Sequence, residues 1–420
     1  MNFPGISYKQ GILHFSDVSI KEMVQTYKTP LYVYSEDVIL QRIDSYKKGI
    51  QNYPFMLCYS VKANSNLSIT NIMAREGLGA DIVSGGELFR CIKANMPTER
   101  IVFSGVGKTQ EEIEFALKNN ILLFSIESIA ELKRINQIAH SLQKVAPVII
   151  RINPDIDPKT HPYISTGLKE NKFGISSNLF TEVIEFALSL KNIELLGFGY
   201  HIGSQIIDIS SKMEAAEKSK YFIDIFQKYK AMSFFDIGGG LGIKYKNEQP
   251  TEPQEFIHTI VNVLPMDKLK NCKILLEPGR SIIGPAGIFL TKILYVKKNY
   301  HKLFYIVDGA MNDLIRPTLY QAYHEILPIF EKNDFDQVVD IVGPICETGD
   351  FFARERKLPL LQENDYLAIL TSGAYGFVMS SQYNSRPRSA EVLIKQNKEL
   401  KLIRERETYE DLIQKEIQCL

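Results

Sequence analysis

The chain has 420 residues, a length that suits one large domain plus a smaller one rather than a single ordinary domain. Its 49 basic and 49 acidic residues cancel, so no general positive field favours binding to nucleic acid or to an anionic membrane. The five scattered cysteines lack metal-ligand spacing, and neither a secretory leader nor an apolar run of membrane-spanning length is found. A cytoplasmic protein that acts on a small molecule, without a metal site, is therefore expected.

Strand-like runs alternate with stretches of helical period through the first two thirds of the chain. After an extended segment at 30–34, the predicted strands are 54–63, 79–84, 101–105, 122–127, 147–154, 195–203, 234–242 and 273–281. The stretches between them, such as 109–119, open with a capping residue and carry apolar residues at helical spacing. Eight serial strand–helix units favour an α/β fold with a closed (β/α)8 TIM-type barrel, and an open doubly wound sheet is the alternative.

The pattern changes beyond about residue 282, where short β-rich runs are separated by turns and one helical stretch is predicted around 318–331. This pattern indicates a second, mostly β domain of the sandwich or barrel kind. The N-terminal segment also carries short extended pieces and is expected to join that domain, since chain termini often pair. The predicted divisions are therefore 1–30 for the N-terminal segment, 31–281 for the barrel and 282–420 for the C-terminal β domain.

Polar and glycine-rich residues collect where the predicted barrel strands end. In a barrel these ends lie on one face, where active sites are built from the strand-to-helix loops. Residues far apart in sequence are therefore expected to meet there. They are Lys62, Asp81, His201, Gly238 to Gly242, and Glu277 to Arg280.

Lys62 lies at the end of the apolar run 54–63. Burial at this position would disfavour the ammonium form and leave a free amine able to attack a carbonyl and form a Schiff base. The alternative is an ordinary lysine whose stem lies along the apolar strand while its ammonium group reaches water.

The glycine run 238–242 follows the seventh predicted strand. Without side chains, its successive backbone N–H groups can converge on an anion such as a phosphate, and barrel phosphate sites often use the loops after strands seven and eight. Gly279 and Arg280, after the eighth strand, would complete that cradle. The alternative is a tight turn without a ligand.

Glu277 lies at the tip of the apolar strand KILLE, where an ionised carboxylate needs a cation. A protonated pyridine nitrogen would supply one, and a structural ion pair with an arginine is the alternative. Together with Lys62 and the phosphate cradle, this acid indicates pyridoxal 5′-phosphate as the cofactor.

Four further residues have weaker local signals. His201 could stack on the cofactor ring, with Ser204 bonded to the phosphate, although a lone histidine is more often a packed or solvated residue. Asp81 could pair with a nearby histidine or lysine. Cys346 lies in a predicted loop at 343–350, where a thiol could donate a proton, and an inert core cysteine is the alternative.

These residues resemble the diaminopimelate decarboxylase family, which belongs to the alanine racemase-like, fold-type III group of pyridoxal-phosphate enzymes. The resemblance covers essentially the whole chain. It rests on YSVKAN (59–64), DIVSGGEL (81–88), KTHPYISTGLKENKFGI (159–175), HIGSQ (201–205), GGGLG (238–242), EPGRS (277–281), IRPTLY (315–320), CETGD (346–350) and GAYG (373–376). Thr348 stands where serine is common in this family, and the substitution retains the hydroxyl.

The resemblance implies pyridoxal 5′-phosphate bound covalently to Lys62, with His201 against the ring and Glu277 at the pyridine nitrogen. The implied cofactor contacts also include Asp81, Ser204, Gly239, Gly240, Gly242, Gly279, Arg280 and Tyr375. The implied substrate contacts are Arg280, Arg316, Tyr320, Glu347 and Tyr375. The resemblance makes Cys346 an acid that reaches across a homodimer interface into the partner's active site.

The implied reaction is decarboxylation of meso-2,6-diaminopimelate to L-lysine and carbon dioxide, the final step of bacterial lysine synthesis. Because this substrate carries a distal carboxylate as well as a distal amine, an arginine fork suits it, and Arg316 is the expected specificity residue. Glu347 would meet the amine. A surface ion pair with Asp313 is the alternative for Arg316. Two other functions stay open: decarboxylation of carboxynorspermidine or a basic amino acid, and non-catalytic carriage of pyridoxal phosphate.

Overall fold

The computed structural model describes residues 3–157, 161, 164, 166–167, 170–332 and 334–420. The motif at 159–175 therefore lies partly outside the described residues. The chain divides into two compact units. The barrel unit comprises Ile43–Gly242 and Gln249–Ser281, and the β unit comprises Met1–Arg42, Ile243–Glu248 and Ile282–Leu420.

The β unit begins with a small antiparallel sheet followed by a longer strand. The elements are β1 (Ile6–Lys9), β2 (Ile12–Phe15), β3 (Val18–Ser19), α1 (Ile20–Tyr27), β4 (Leu31–Ser35) and α2 (Glu36–Ile50). The predicted boundary at residue 31 assigned β4 to the barrel, and this assignment is wrong. Both edges of β4 pair with strands of the β unit, and all five of its residues are buried there. The boundary between the units falls inside α2, between Arg42 and Ile43.

The barrel unit contains a closed parallel sheet. Its strands are β5 (Phe55–Ser60), β6 (Gly79–Ile82), β7 (Ile101–Phe103), β8 (Leu123–Ile126), β9 (Ala146–Asn153), β11 (Ile193–Gly199), β12 (Phe234–Asp236) and β13 (Lys273–Leu276), with a short β10 (Ile175–Ser176) beside β9. Each strand pairs in parallel with the next around the ring, and β13 pairs with β5. This closing contact confirms the predicted (β/α)8 barrel and rules out the open doubly wound sheet.

Helices follow the barrel strands. They are α3 (Leu67–Arg75), α4 (Gly85–Lys93), α5 (Gln110–Lys118), α6 (Ile129–Ser141), α7 (Phe180–Ser189), α8 (Ser210–Tyr229), α9 (Pro253–Val261) and α10 (Arg280–Ile283). Local sequence explains several starts, because the side chains of Asn66, Ser84, Thr109 and Ser128 each accept a hydrogen bond from an N–H group in the first turn. Thr109 forms a full capping box with Glu112.

The remainder of the β unit is mostly strand, as predicted. Its elements are β14 (Gly287–Asn299), β15 (Lys302–Val307), α11 (Arg316–Tyr320), β16 (Ile326–Pro328), β17 (Gln337–Val342), β18 (Phe351–Leu358), β19 (Tyr366–Ile369), β20 (Ala390–Ile394), β21 (Leu400–Arg404) and α12 (Tyr409–Ile413). The main sheet has the order β18-β17-β15-β14-β4-β20-β21.

The helical stretch predicted around 318–331 is wrong beyond its first turn. Helix α11 ends at Tyr320, and Gln321 takes a left-handed conformation with φ of 51°. Residues 326–328 then pair with β19 as an antiparallel strand. None of the helices in the described part of the chain is both long and apolar enough to cross a membrane.

The barrel core supplies a stability test. Ile149 packs in a buried cluster with Met56, Cys58, Val102, Leu123 and Leu275. We expect Ile149→Ala to lower the free energy of unfolding by about 2–5 kcal/mol, because the lost methyl groups leave a cavity. Val145→Ala, at an exposed position just before the same strand, is the matched control and should change it by less than about 0.5 kcal/mol. Equal losses in urea denaturation would contradict this account of the core.

Candidate active site

Lys62 and Asp81 form a salt bridge at the carboxyl ends of adjacent strands. Lys62 follows β5 in a short 3-10 turn, and its Nζ lies 2.8 Å from Oδ2 of Asp81. The Lys62 side chain is 33% exposed, whereas the Asp81 side chain is fully buried. Ser60 donates a further hydrogen bond of 3.1 Å to the same carboxylate oxygen. The expected amine buried among apolar groups is therefore corrected: a carboxylate holds this amine at the barrel mouth.

His201 lies just beyond β11 and is held as a neutral ring. Its Nδ1 accepts a hydrogen bond of 3.1 Å from the backbone N–H of Gly239, so this nitrogen carries no proton. Burial lowers the pKa of His201 well below its usual range, and the nearby positive charge of Lys62 lowers it further. The 3.8 Å approach to the Glu277 carboxylate is therefore not an ion pair.

Glu277, after β13, is a buried carboxylate with an open oxygen. Its Oε1 is buried and accepts no hydrogen bond from a donor group of the described residues, and in its protonated form the Glu277 carboxyl donates a hydrogen bond to Asp236. Burial raises the pKa of Glu277 well above its usual range, and the charges of Asp236 and Asp81 add to that effect. No lysine or arginine of the described chain lies within ion-pair distance of it, so the structural ion pair considered above is wrong. The site instead fits a cationic group brought by a ligand.

Two buried groups beside Glu277 escaped the sequence analysis. Asp236, at the end of β12, accepts a hydrogen bond of 2.8 Å from the Gly238 N–H, and burial raises its pKa to about 6. Lys212, on α8, is buried and donates a weak bond of 3.4 Å to the carbonyl of Ile237, and burial lowers its pKa to about 8. The position of Asp236 directly before the glycine run was a usable signal. No sequence signal marked Lys212, because the pattern of its helix is that of an ordinary amphipathic helix.

Ser204 and Arg280 meet at the same face of the barrel. The hydroxyl oxygen of Ser204 accepts hydrogen bonds of 3.1 Å from Nη2 and 3.3 Å from Nε of Arg280. Gly279 packs against the end of β5, where an added Cβ would lie 2.9 Å from that of Ser60. The Ser204 hydroxyl after β11 and the buried Arg280 guanidinium after β13 suit a phosphate ligand.

The glycine run is required by close backbone contacts. An added Cβ on Gly239 would lie 1.9 Å from the carbonyl oxygen of Glu277. Gly240 has φ of +100°, and its added Cβ would lie 2.1 Å from the carbonyl oxygen of Gly203.

The hydrogen bonds of this run modify the expected phosphate cradle. The amides of Gly238, Gly239 and Gly242 donate to Asp236, His201 and Ile206 respectively. The converging N–H groups predicted for the whole run are therefore reduced to those of Gly240 and Leu241. Gly238 and Gly239 instead hold the surrounding acid and histidine, and Gly242 bonds to the backbone of Ile206.

Arg316 begins α11 in the β unit and is buried, so the surface ion pair considered above is wrong. Its guanidinium lies 4.5 Å from the centre of the Tyr245 ring, and its Nη1 lies 2.7 Å from Nε2 of His324. Tyr320, at the other end of the same helix, is half-buried.

Cys346 and Glu347 are exposed on the loop between β17 and β18, which excludes an inert core cysteine. The Cys346 N–H donates a hydrogen bond of 3.1 Å to Oδ1 of Asn384. The Tyr383 hydroxyl donates one of 2.8 Å to Oε2 of Glu347. Both supporting residues were missed, because nothing in the sequence links them to the loop. Tyr375 is half-buried, with φ of 56° in the left-handed region.

The barrel residues fit pyridoxal 5′-phosphate. Lys62 offers an amine for its aldehyde, and the open oxygen of Glu277 offers a partner for a protonated ring nitrogen. Ser204, Arg280 and the amides after β12 offer phosphate contacts. Among the described residues, no cluster of three or more His, Cys, Asp or Glu side chains is arranged to hold a metal ion.

Comparisons with known proteins agree with this geometry. The model of the pyridoxal-binding domain of pyridoxal-dependent decarboxylases matches residues 36–284. The chain is 48% identical to the diaminopimelate decarboxylase of Aquifex aeolicus over 98% of its own length and 97% of that protein. The crystal structure of the Helicobacter pylori diaminopimelate decarboxylase complexed with L-lysine has a TM-score of 0.90 and 44% identity, covering 95% of this chain and all of that one. The corresponding lysine complex from M. jannaschii has a TM-score of 0.92 and 39% identity, covering 98% and 97%.

The Asp236–Glu277 pair makes a pH prediction. The Asp236 pKa of about 6 in the folded protein exceeds the ordinary value of 3.8, so the folded state holds this proton more tightly than the unfolded state. The contribution of this proton to the free energy of unfolding is therefore fully present below pH 4 and is lost as the pH rises through 6.

We therefore expect the cofactor-free protein to lose unfolding free energy between pH 4 and pH 7, and Asp236→Asn to lose less. Asp267→Asn, at an exposed position of the same unit, is the control and should follow the unsubstituted protein. Urea denaturation across this range checks the slopes, and parallel slopes for all three proteins would show that Asp236 is not the group responsible.

Proposed function

The chain belongs to the diaminopimelate decarboxylase family of pyridoxal-dependent decarboxylases, and we propose that it converts meso-2,6-diaminopimelate to L-lysine and carbon dioxide. The observation that carries this proposal is the acid at the end of β13. A buried carboxylate with an open oxygen keeps a pyridine nitrogen protonated, whereas an arginine at this position would leave it neutral and better suited to racemisation.

Pyridoxal phosphate, when bound, supplies an aldehyde for amino groups and a protonated ring that takes up the electron pair left by carbon dioxide. The residues of the chain prepare this chemistry. Asp81 holds the Lys62 amine at the barrel mouth, where this amine would hold the aldehyde of the cofactor. The neutral His201 offers an uncharged face to the ring, so it does not oppose the positive charge that Glu277 maintains.

Substrate selection falls to residues of the β unit. Arg316 binds the distal carboxylate and Glu347 the distal amine, with Tyr320, Tyr375 and the barrel residue Arg280 as further contacts. The buried, stacked guanidinium of Arg316 supports this assignment, since a fixed fork suits bidentate recognition of a carboxylate. A decarboxylase of ornithine or arginine would meet only a cation at the far end of its substrate. A non-catalytic carrier of pyridoxal phosphate would not need residues that bind the far end of a substrate.

The enzyme acts as a homodimer in which Cys346 serves the partner's active site as an acid. Its exposure on the loop after β17 supports this role, because a thiol directed to solvent can meet a second subunit. The free state of all five cysteines supports a reducing compartment, and we place the protein in the cytoplasm.

The substrate assay is the first test. We expect carbon dioxide release from meso-diaminopimelate and at least about 100-fold lower kcat/KM with ornithine, arginine or carboxynorspermidine, since each lacks the paired groups read by Arg316 and Glu347. Lys62→Ala should abolish the cofactor absorbance band and reduce turnover more than about 1,000-fold. Lys93→Ala, at an exposed position of the barrel unit, is the control. Release only from the other three substrates would refute the proposed specificity, and a retained band would refute the role of Lys62.

The shared site is tested by mixing two inactive variants. In a heterodimer of Lys62→Ala and Cys346→Ala subunits, one of the two sites has both residues intact. Random reassociation of equal amounts makes half of the dimers mixed, so we expect about one quarter of the original activity. Each variant mixed with itself is the control, and no recovery above it would refute the shared site.

A further inference from the structure

Arg316 is the centre of a buried network in the β unit. His324 and Tyr245 contact its guanidinium from two directions, and all three residues are buried. Neither His324 nor Tyr245 belongs to the proposed substrate contacts. Their contacts determine how the guanidinium of Arg316 is oriented.

The hydrogen bonds of His324 fix its protonation. Its Nδ1 lies 2.8 Å from the carbonyl oxygen of Leu370, which can only accept, so Nδ1 carries the hydrogen. Its Nε2 lies 2.7 Å from Nη1 of Arg316, which can only donate, so Nε2 bears a lone pair. The imidazole is therefore neutral, with one tautomer imposed from both sides. Its Nε2 accepts a hydrogen bond from one N–H group of the guanidinium.

Tyr245 restrains the face of the same group. Its ring centre lies 4.5 Å from the Arg316 guanidinium carbon, and the His324 ring meets the Tyr245 ring nearly edge-on at 5.2 Å and 78°. The backbone N–H of Tyr245 is itself bonded to Glu248 at 3.0 Å. The guanidinium is thus held in its plane by His324 and against rotation out of that plane by Tyr245.

We propose that His324 and Tyr245 are positioning residues that orient the Arg316 guanidinium for a bidentate bond to the distal carboxylate of the substrate. This inference rests on the proposed function, in which Arg316 reads that carboxylate. A fork–fork bond needs two N–H groups in one defined plane, and a side chain held there beforehand loses less freedom on binding. The network therefore favours ligands with a distal carboxylate over amines without one.

The test compares two ligands of the holoenzyme. L-Lysine retains one carboxylate, whereas cadaverine, which is lysine without its carboxyl group, keeps both amines and has no carboxylate. His324→Phe keeps a ring but removes the acceptor. We expect it to raise the KM for meso-diaminopimelate and the inhibition constant of L-lysine about tenfold, since a bond to a charged group is lost. The cadaverine constant, kcat and the cofactor absorbance band should stay within about threefold of the original.

A second pair of variants keeps the test open if His324→Phe does not fold. Tyr245→Leu removes the aromatic face and should weaken the binding of L-lysine about tenfold. Tyr245→Phe keeps the face and should retain most of the original affinity for L-lysine. Tyr295→Leu, at an exposed position of the β unit, is the matched control. Equal effects of Tyr245→Leu and Tyr245→Phe, or equal loss of cadaverine and L-lysine, would overturn the positioning role.

The Arg316→Ala variant tests the positioning role separately from the proposed role of Arg316 in binding the distal carboxylate. If Arg316→Ala leaves the L-lysine constant unchanged, the proposed role of Arg316 fails and the inference fails with it. If Arg316→Ala weakens L-lysine but His324→Phe and Tyr245→Leu do not, only the positioning role is overturned. In the Arg316→Ala background, His324→Phe should have little further effect. A full additional tenfold loss would show that His324 acts independently of Arg316.

Discussion

Three carboxylates buried at the carboxyl ends of the barrel strands dominate the electrostatics of the site. Asp81, Asp236 and Glu277 lie where water is largely excluded, the charge of Asp81 raises the pKa of both Asp236 and Glu277, and the charge of Asp236 raises that of Glu277 further. The Lys62 ammonium group forms a salt bridge with one of these carboxylates, that of Asp81. No described residue donates a hydrogen bond to Oε1 of Glu277. In the proposed function a cationic ring nitrogen of pyridoxal phosphate would meet that remaining need, so that cofactor binding would also relieve the buried charge.

The glycine run after β12 serves this charge cluster as much as the phosphate. Backbone amides of the run hold Asp236 and the imidazole of His201, which keeps the histidine neutral beside the cofactor site. Side chains at these positions would collide with the carbonyl groups of neighbouring strand ends. The run therefore couples three neighbouring strands of the barrel, and it leaves fewer amides for a phosphate than a simple anion-binding turn would offer.

Sequence reasoning succeeded where periodicity and strand ends carry the information. The eight barrel strands, and the clustering of Lys62, Asp81, His201 and Glu277 at their ends, follow from the alternation of strand and helix. It failed where long-range pairing decides. Strand β4 is as apolar as a barrel strand, and only its pairing with β14 and β20 assigns it to the β unit. Residues 326–328 have apolar spacing that fits a helix, but β19 recruits them as a strand. The sequence did not predict the buried position of Lys212, because a buried lysine on a helix has no local signature.

The two groups proposed to read the far end of the substrate are built differently. Arg316 is buried between an aromatic face and a neutral histidine, so its geometry is fixed before any ligand arrives. Glu347 lies on an exposed loop and is restrained by one tyrosine hydroxyl, which solvent can replace. A fixed group discriminates shape and charge sharply, whereas an exposed one adapts at a smaller loss of affinity. The carboxylate end of the substrate should therefore contribute more to specificity than the amine end, and that asymmetry originates in burial rather than in the charges themselves.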